Sequence, residues 1–141
     1  MSFFVAQSKL TTWTDELEFL GYILCELIDA ESLGAVGHGC HQAADFLTLI
    51  KIIRRHTKDP SRSLTHVMSE EELASFRTLL RKARRIRDIS AHHGIITMDQ
   101  LDDLERVKQS LSNMLEFSIK RVASDRDIDQ VCFVIGTTFD I

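Results

Sequence analysis

Residues 69–94 read SEEELASFRTLLRKARRIRDISAHHG and predict the best-defined helix of the chain. Ser69 and Glu72 form a capping-box pattern, and Gly94 supplies a helix stop. At about 100° per residue, one side of this helix is apolar and carries Phe76, Leu79, Leu80, Ala83 and Ile86. Arg87 falls within this apolar side. A charge that faces an interior is costly unless it is paired or functional, so the search for a site begins at Arg87.

Three further amphipathic helices are predicted in the rest of the chain. We expect the first from about Thr14 to Ala30, with Thr14 as its N-cap, and the second from about His41 to His56. The last begins at Thr97, with Gln100 completing a second capping box, and runs for about 25 residues. Residues 57–65 predict a surface loop. Short connections between such helices favour an antiparallel four-helix bundle.

The length of 141 residues predicts a single domain over 1–141, with a helical core at about 12–124 and a tail at 125–141. The tail contains a β-branched and aromatic stretch from Val131 to Phe139. This stretch is interpreted either as a strand, paired with Phe3–Val5, or as an apolar extension that docks on a partner.

Composition excludes several classes of protein. Hydrophobic residues make up 44% and charged residues 27%, which is typical of a folded soluble domain rather than a disordered chain. No uninterrupted apolar run of about 18 residues is present, so we expect no membrane span. The three cysteines are widely spaced and form no CxxC pair, which favours a reduced cytoplasmic setting over a disulfide framework. His38, Cys40 and His41 do not match a standard zinc spacing, so no metal site is expected there. The neighbouring glycines do not form GxGxxG, and no cofactor is predicted.

Basic residues are unevenly distributed. The net charge is −4, yet residues 77–87 contain six of the seventeen lysines and arginines. A local positive patch on an acidic protein suits a confined polyanion site. The candidate nucleic-acid-binding residues are Arg77, Arg81, Arg84 and Arg85. The alternative is a solvated face whose charge is balanced by the glutamates at the start of the same helix.

Arg87, Asp88 and His92 are of the types that cleave RNA by internal attack. An imidazole can take the proton of the 2′-hydroxyl or protonate the leaving oxygen, and a guanidinium can stabilise the charge that builds on phosphorus. Asp88 and His92 are four apart and share a helix face, so the carboxylate can orient the imidazole. Arg87 and His92 lie about 140° apart. They can meet only if the helix ends near Ser90 or if two copies face each other.

The pattern Arg87-Asp88-x-x-x-His92, with Ala91 and Gly94 beside it, resembles the signature of HEPN (higher eukaryotes and prokaryotes nucleotide-binding) domains. That resemblance implies a helical bundle that dimerises and joins two motifs in one cleft. Many HEPN members are metal-independent endoribonucleases of toxin–antitoxin, phage-defence or RNA-processing systems. By position, Arg87 and His92 would be catalytic and Asp88 would support them. His93 also satisfies the spacing, so either histidine can fill the role.

The sequence therefore predicts a homodimeric, metal-independent endoribonuclease that acts on RNA and has an antitoxin or regulatory protein as a further partner. The main alternative is a non-catalytic HEPN-like module that binds a nucleotide, a nucleic acid or a protein. A third interpretation is an assembly module whose tail docks on a partner. The simplest alternative for Arg87 and His92 is that they satisfy the last carbonyls of their helix.

Overall fold

A computed structural model describes residues 3–35, 45–60, 62–92 and 96–126, with side chains over 7–34, 45–60, 62–89 and 96–126. These ranges contain α1 (Phe3–Ala35), α2 (Phe46–Lys58), α3 (Ser63–Val67), α4 (Glu70–His92) and α5 (Met98–Asp125), and they contain no strand. The prediction of an all-helical protein is thereby confirmed for the described chain. The tail at 127–141, with its strand or docking segment, lies outside the described residues.

Buried side chains from all five helices form one hydrophobic core. Helix α1 packs against α2, α4 and α5, and α4 packs against α5, so the four longer helices make a bundle. Phe76, Leu80, Ala83 and Ile86 of α4 are fully buried, as the periodicity of the sequence predicts. No helix in the described ranges is long and apolar enough to cross a membrane.

Both predicted capping boxes are present. The Ser69 N–H donates to the Glu72 carboxylate at 2.7 Å, and the Glu72 N–H donates to Ser69 Oγ at 3.1 Å. Thr97 and Gln100 make the same reciprocal pair at 2.9 and 3.1 Å. Each pair satisfies two backbone donors that the first turn of a helix leaves free. Helices α4 and α5 therefore begin where the sequence predicts.

The predicted start of the first helix is wrong. Helix α1 begins at Phe3, so residues 3–5 are helical and do not form a strand, and Thr14 lies inside the helix. The Thr14 hydroxyl donates to the Leu10 carbonyl at 2.8 Å instead of capping an N-terminus. Leu10 and Trp13 are buried and continue the apolar stripe upstream, which explains why the helix extends past Thr14.

Two further boundaries also differ from the prediction. Asp45 is extended and serves as the N-cap of α2, so the second helix begins at Phe46 rather than near His41. Residues 57–65 are not one surface loop, because α2 continues to Lys58 and α3 begins at Ser63. The buried side chain of Leu64 anchors α3 in the core, and burial of this kind stabilises a helix too short to persist alone.

A kink in α1 at Asp29 is linked to α2 by a buried hydrogen bond to His56. Asp29 has φ −161° and ψ 59°, and its carboxylate accepts from the N–H and the hydroxyl of Ser32 at 3.1 and 2.7 Å. His56 of α2 lies 3.0 Å from the same carboxylate through Nε2 and is only 1% exposed. Since a carboxylate can only accept, His56 Nε2 carries the proton. The pair therefore caps the helical segment after the kink and holds it against α2.

Asp29→Asn should destabilise the protein in a pH-dependent manner. Burial raises the pKa of Asp29, but hydrogen bonds from His56 and Ser32 outweigh burial and lower the pKa from 3.8 to about 2. The stabilisation is fully present above the ordinary pKa and is lost as the pH falls through about 2. We expect the substitution to lower the free energy of unfolding by about 2 kcal/mol near neutral pH.

The measurement is urea unfolding of Asp29→Asn and of the unmodified protein, followed by circular dichroism between neutral pH and about pH 2. The difference should shrink below about pH 4. Glu31→Gln, at an exposed position of the same helix, is the control and should show no such trend. A difference that stays constant over this range would contradict the role given to Asp29.

Candidate functional site

Arg87 lies at the edge of the core, where α4 meets α1 and the start of α2. Its neighbours in the apolar stripe, Ala83 and Ile86, are fully buried, whereas the Arg87 side chain remains 28% exposed. The guanidinium thus lies partly inside the bundle and partly in solvent. This position requires carboxylate partners, because burying an unpaired charge is costly.

Carboxylates from two parts of the chain pair with Arg87. Nη1 lies 3.4 Å from Asp88 Oδ1, and Nη2 lies 4.0 Å from Asp45 Oδ1 at the N-cap of α2. Asp88 also pairs with Arg84 Nε at 3.8 Å, one turn earlier on α4. Arg87 is therefore held near the start of α2. Among the described side chains, Asp88 pairs with Arg84 and Arg87, both of which lie on its own helix.

Glu18 of α1 faces the same group of charges and was not predicted from the sequence. Burial, together with the neighbouring carboxylates of Asp15 and Asp45, raises the pKa of Glu18 from 4.5 to about 7, and Arg87 opposes the increase. A carboxyl group that titrates near neutral pH can donate or accept a proton under ordinary conditions. No sequence signal marks Glu18, because its surroundings come from three separate helices.

Helix α4 runs without a break to His92, its last residue. The side chain of His92, and the whole of His93, lie outside the described residues. Continuity to position 92 nevertheless decides one question that the sequence left open. Because the backbone of α4 is helical through its last residue, two positions beyond Ser90, positions 87 and 92 of one chain are separated by about 140° around the helix axis. One copy therefore does not bring the Arg87 and His92 positions onto a single face.

The four arginines predicted to bind nucleic acid divide into two pairs. Arg77 donates to the Thr57 carbonyl at 2.9 Å and pairs with Glu70 at 3.1 Å, so it ties α4 to the end of α2. Arg84 is the exposed partner of Asp88. Arg81 and Arg85, in contrast, are exposed and line a groove between α4 and α5. Arg81 and Arg85 have no ion-pair partner among the described residues.

Comparison of the chain with protein-family models, with curated proteins and with solved structures finds no match. The likeness to HEPN domains consequently rests on the residues of this chain, above all on Arg87 and the helix that carries it. What those residues can do is therefore argued from their geometry and charge.

Other chemistry-bearing residues do not form a site in the described ranges. No group of three or more histidine, cysteine, aspartate or glutamate side chains there is arranged to hold a metal ion. His38, Cys40 and His41 lie outside the described residues. Cys25 is buried and contacts the Leu49 carbonyl at 3.7 Å, and burial raises the pKa of its thiol. Cys25 is thus suited to the core and not to nucleophilic chemistry.

Glu18→Gln should stabilise the protein at alkaline pH. The raised pKa means that folded Glu18 keeps a proton between about pH 4.5 and about pH 7, whereas the unfolded chain has released it. The unmodified protein therefore loses stability progressively as the pH rises from about 4.5 to about 7, and the loss is complete above that pH. Glutamine cannot ionise, so we expect the variant to gain about 2 kcal/mol near pH 8 and to match the unmodified protein near pH 4.5.

Urea unfolding at both pH values measures this effect. Glu26→Gln, at an exposed position of the same helix, is the matched control and should change stability equally at both pH values. If Glu18→Gln instead destabilises the protein at pH 8, the ionised Glu18 stabilises the fold by pairing with Arg87. Burial and the neighbouring carboxylates would then not disfavour its charge.

Proposed function

We propose that the protein is a HEPN-type, metal-independent endoribonuclease whose site forms between two copies of an antiparallel helical bundle. The observation that supports this proposal is the half-buried guanidinium of Arg87, held by Asp45 and Asp88 close to the end of α4. A fixed guanidinium can stabilise the charge that develops on phosphorus without having to be reoriented. The substrate is RNA, because its 2′-hydroxyl supplies the internal nucleophile.

His92 would act as the acid–base group of this reaction, with His93 as the alternative. It would take the proton of the 2′-hydroxyl or protonate the leaving 5′-oxygen. Asp88 would keep Arg87 in place, and its position four residues before His92 also lets it orient the imidazole. Glu18, whose pKa is raised to about 7, would add a further acid–base group near Arg87.

The continuity of α4 favours a site shared by two copies. Since positions 87 and 92 of one chain lie about 140° apart, Arg87 of one copy and His92 of the other would have to supply the two groups. A two-fold axis through the ends of the two α4 helices would create two identical sites in one cleft. Each copy would then contribute its arginine to one site and its histidine to the other.

Cleavage of RNA by the purified protein in excess chelator tests the proposal. We expect Arg87→Ala and His92→Ala each to reduce the cleavage rate by about 10²-fold or more. His66→Ala, which changes an exposed histidine of α3, is the control and should leave the rate unchanged. His93→Ala shows which of the two adjacent histidines acts. Full activity of both Arg87→Ala and His92→Ala would refute the assignment.

Mixing the two inactive variants tests whether the site is shared. In a mixed dimer of Arg87→Ala and His92→Ala, one site lacks both groups and the other keeps both. After subunit exchange we expect about a quarter of the activity of the unmodified protein, since half of the dimers are mixed and each has one intact site. Mixtures without recovered activity would mean that each site draws both groups from one chain.

A second candidate function is supported by the charges around Arg87. The carboxyl groups of Glu18, Asp45 and Asp88 lie around the Arg87 guanidinium, and their negative charge opposes the approach of a phosphate. It favours a non-catalytic HEPN-like module that binds a partner elsewhere on its surface. Such a module would bind RNA or a protein but yield no cleavage products in the assay described above.

A further inference from the structure

Helices α4 and α5 enclose a groove of about 610 Å³. Its basic wall is formed by Arg81, Lys82 and Arg85 of α4 and by Arg106 of α5. Arg85 lies two positions before Arg87, about 160° away around α4, so the groove and the Arg87 site occupy different flanks of the helix. The groove is therefore a separate surface and not a continuation of the carboxylate-lined site.

The charge of the groove is largely uncompensated. Arg81, Lys82 and Arg85 are exposed, and no carboxylate of the described chain lies within ion-pair distance of them. Asp103, the one carboxylate among the described residues of the lining, pairs with Arg106. On a protein whose net charge is −4, such a cluster creates a local positive potential that attracts anions.

The base of the groove is apolar. Leu79 of α4 and Leu104 and Val107 of α5 line it beneath the charged side chains. A ligand that matches this surface carries negative charges on the side that faces the arginines and flat apolar groups on the side that faces the base of the groove. Phosphates joined to nucleosides have both features, whereas an acidic peptide supplies charge without stacked rings. The volume lies in the range of sites for small molecules, so it fits a short length of single strand.

We infer that the α4–α5 groove binds the phosphodiester backbone of single-stranded RNA, with Arg81, Lys82 and Arg85 contacting phosphates and the apolar base contacting nucleosides. The choice of RNA rests on the proposed function. Along α4, position 92 follows position 85 by about 10 Å and lies within about 20° of it around the axis. A strand seated in the groove would therefore extend towards the end of α4 that carries the proposed acid–base residue.

Binding of a fluorescent 2′-O-methyl RNA 12-mer, measured by fluorescence polarisation at several salt concentrations, tests this inference. The methylated 2′-oxygen cannot attack phosphorus, so binding is measured without cleavage. We expect Arg81→Gln/Arg85→Gln to weaken binding on the order of tenfold and to reduce the slope of log K against log salt by about 1.4, since each phosphate contact to a single strand contributes about 0.7.

The matched control is Lys51→Gln/Arg54→Gln, which removes two exposed cations from α2. It changes the net charge equally and should leave both the affinity and the slope unchanged. Equal weakening by the two double variants would show that net charge alone attracts RNA, and it would overturn the inference. Oligoglutamate that binds the groove in place of RNA would also overturn it, in favour of an acidic protein partner.

Failure of the nuclease proposal can be distinguished from failure of the inference that the groove binds RNA. Binding of the 2′-O-methyl RNA that depends on Arg81 and Arg85, in a protein that cleaves no RNA, supports the groove and refutes only the nuclease. Cleavage that is unaffected by Arg81→Gln/Arg85→Gln at limiting RNA supports the nuclease and overturns the groove as a binding site for its substrate.

Discussion

Helix α4 turns by about 100° at each residue, and its unbroken course from Glu70 to His92 fixes where each charged side chain lies around the bundle. One side is buried by Phe76, Leu80, Ala83 and Ile86, which locks the rotation of the helix against α1 and α5. Once that rotation is fixed, Arg87 must lie at the edge of the core. Arg81 and Arg85 must likewise face outward beside α5. Core packing therefore determines both candidate surfaces.

The arginines of the bundle fall into those that hold helices together and those that remain available. Arg77 and Arg121 donate to backbone carbonyls at the ends of α2 and α3, at 2.9 and 3.1 Å, and Arg126 donates to the Leu27 carbonyl of α1. Carbonyls at the end of a helix lack partners within the helix, so a guanidinium there satisfies them and complements the helix dipole. Such an arginine is already engaged and has little to offer to a ligand.

Sequence patterns predicted the local parts of this structure well and the long-range parts poorly. The capping boxes at Ser69 and Thr97 are visible because each is complete within four residues. The pair between Asp29 and His56 joins residues 27 positions apart, and no pattern along the chain signals it. Thr14 resembled an N-cap because acidic residues follow it. The burial of Leu10 and Trp13, a tertiary effect, extended the helix past it.

The candidate site shows the same division. The place of Arg87 in the apolar stripe followed from helical periodicity, since the period is a property of α4 alone. The surroundings of Arg87 could not be predicted from periodicity, because Glu18 and Asp45 belong to α1 and to the start of α2. Arg77 was predicted to bind nucleic acid on charge alone, and the carbonyl of Thr57 that engages it belongs to another helix. Charge type can be read from sequence, but whether a charge is already neutralised depends on the packing.

That difference decides how the two flanks of α4 can act. A cation that is already paired with a carboxylate neutralises little phosphate charge, so binding near it releases few of the ions condensed on a nucleic acid. Arg81, Lys82 and Arg85 have no ion-pair partner among the described residues, so in the proposed complex they would neutralise phosphates and release the ions condensed on the RNA. Arg87, surrounded by carboxylates, is instead held in a fixed place, which is the property that transition-state stabilisation requires. Under the proposed function, binding requires unpaired arginines and chemistry requires a fixed one, and α4 would supply the two kinds on different faces.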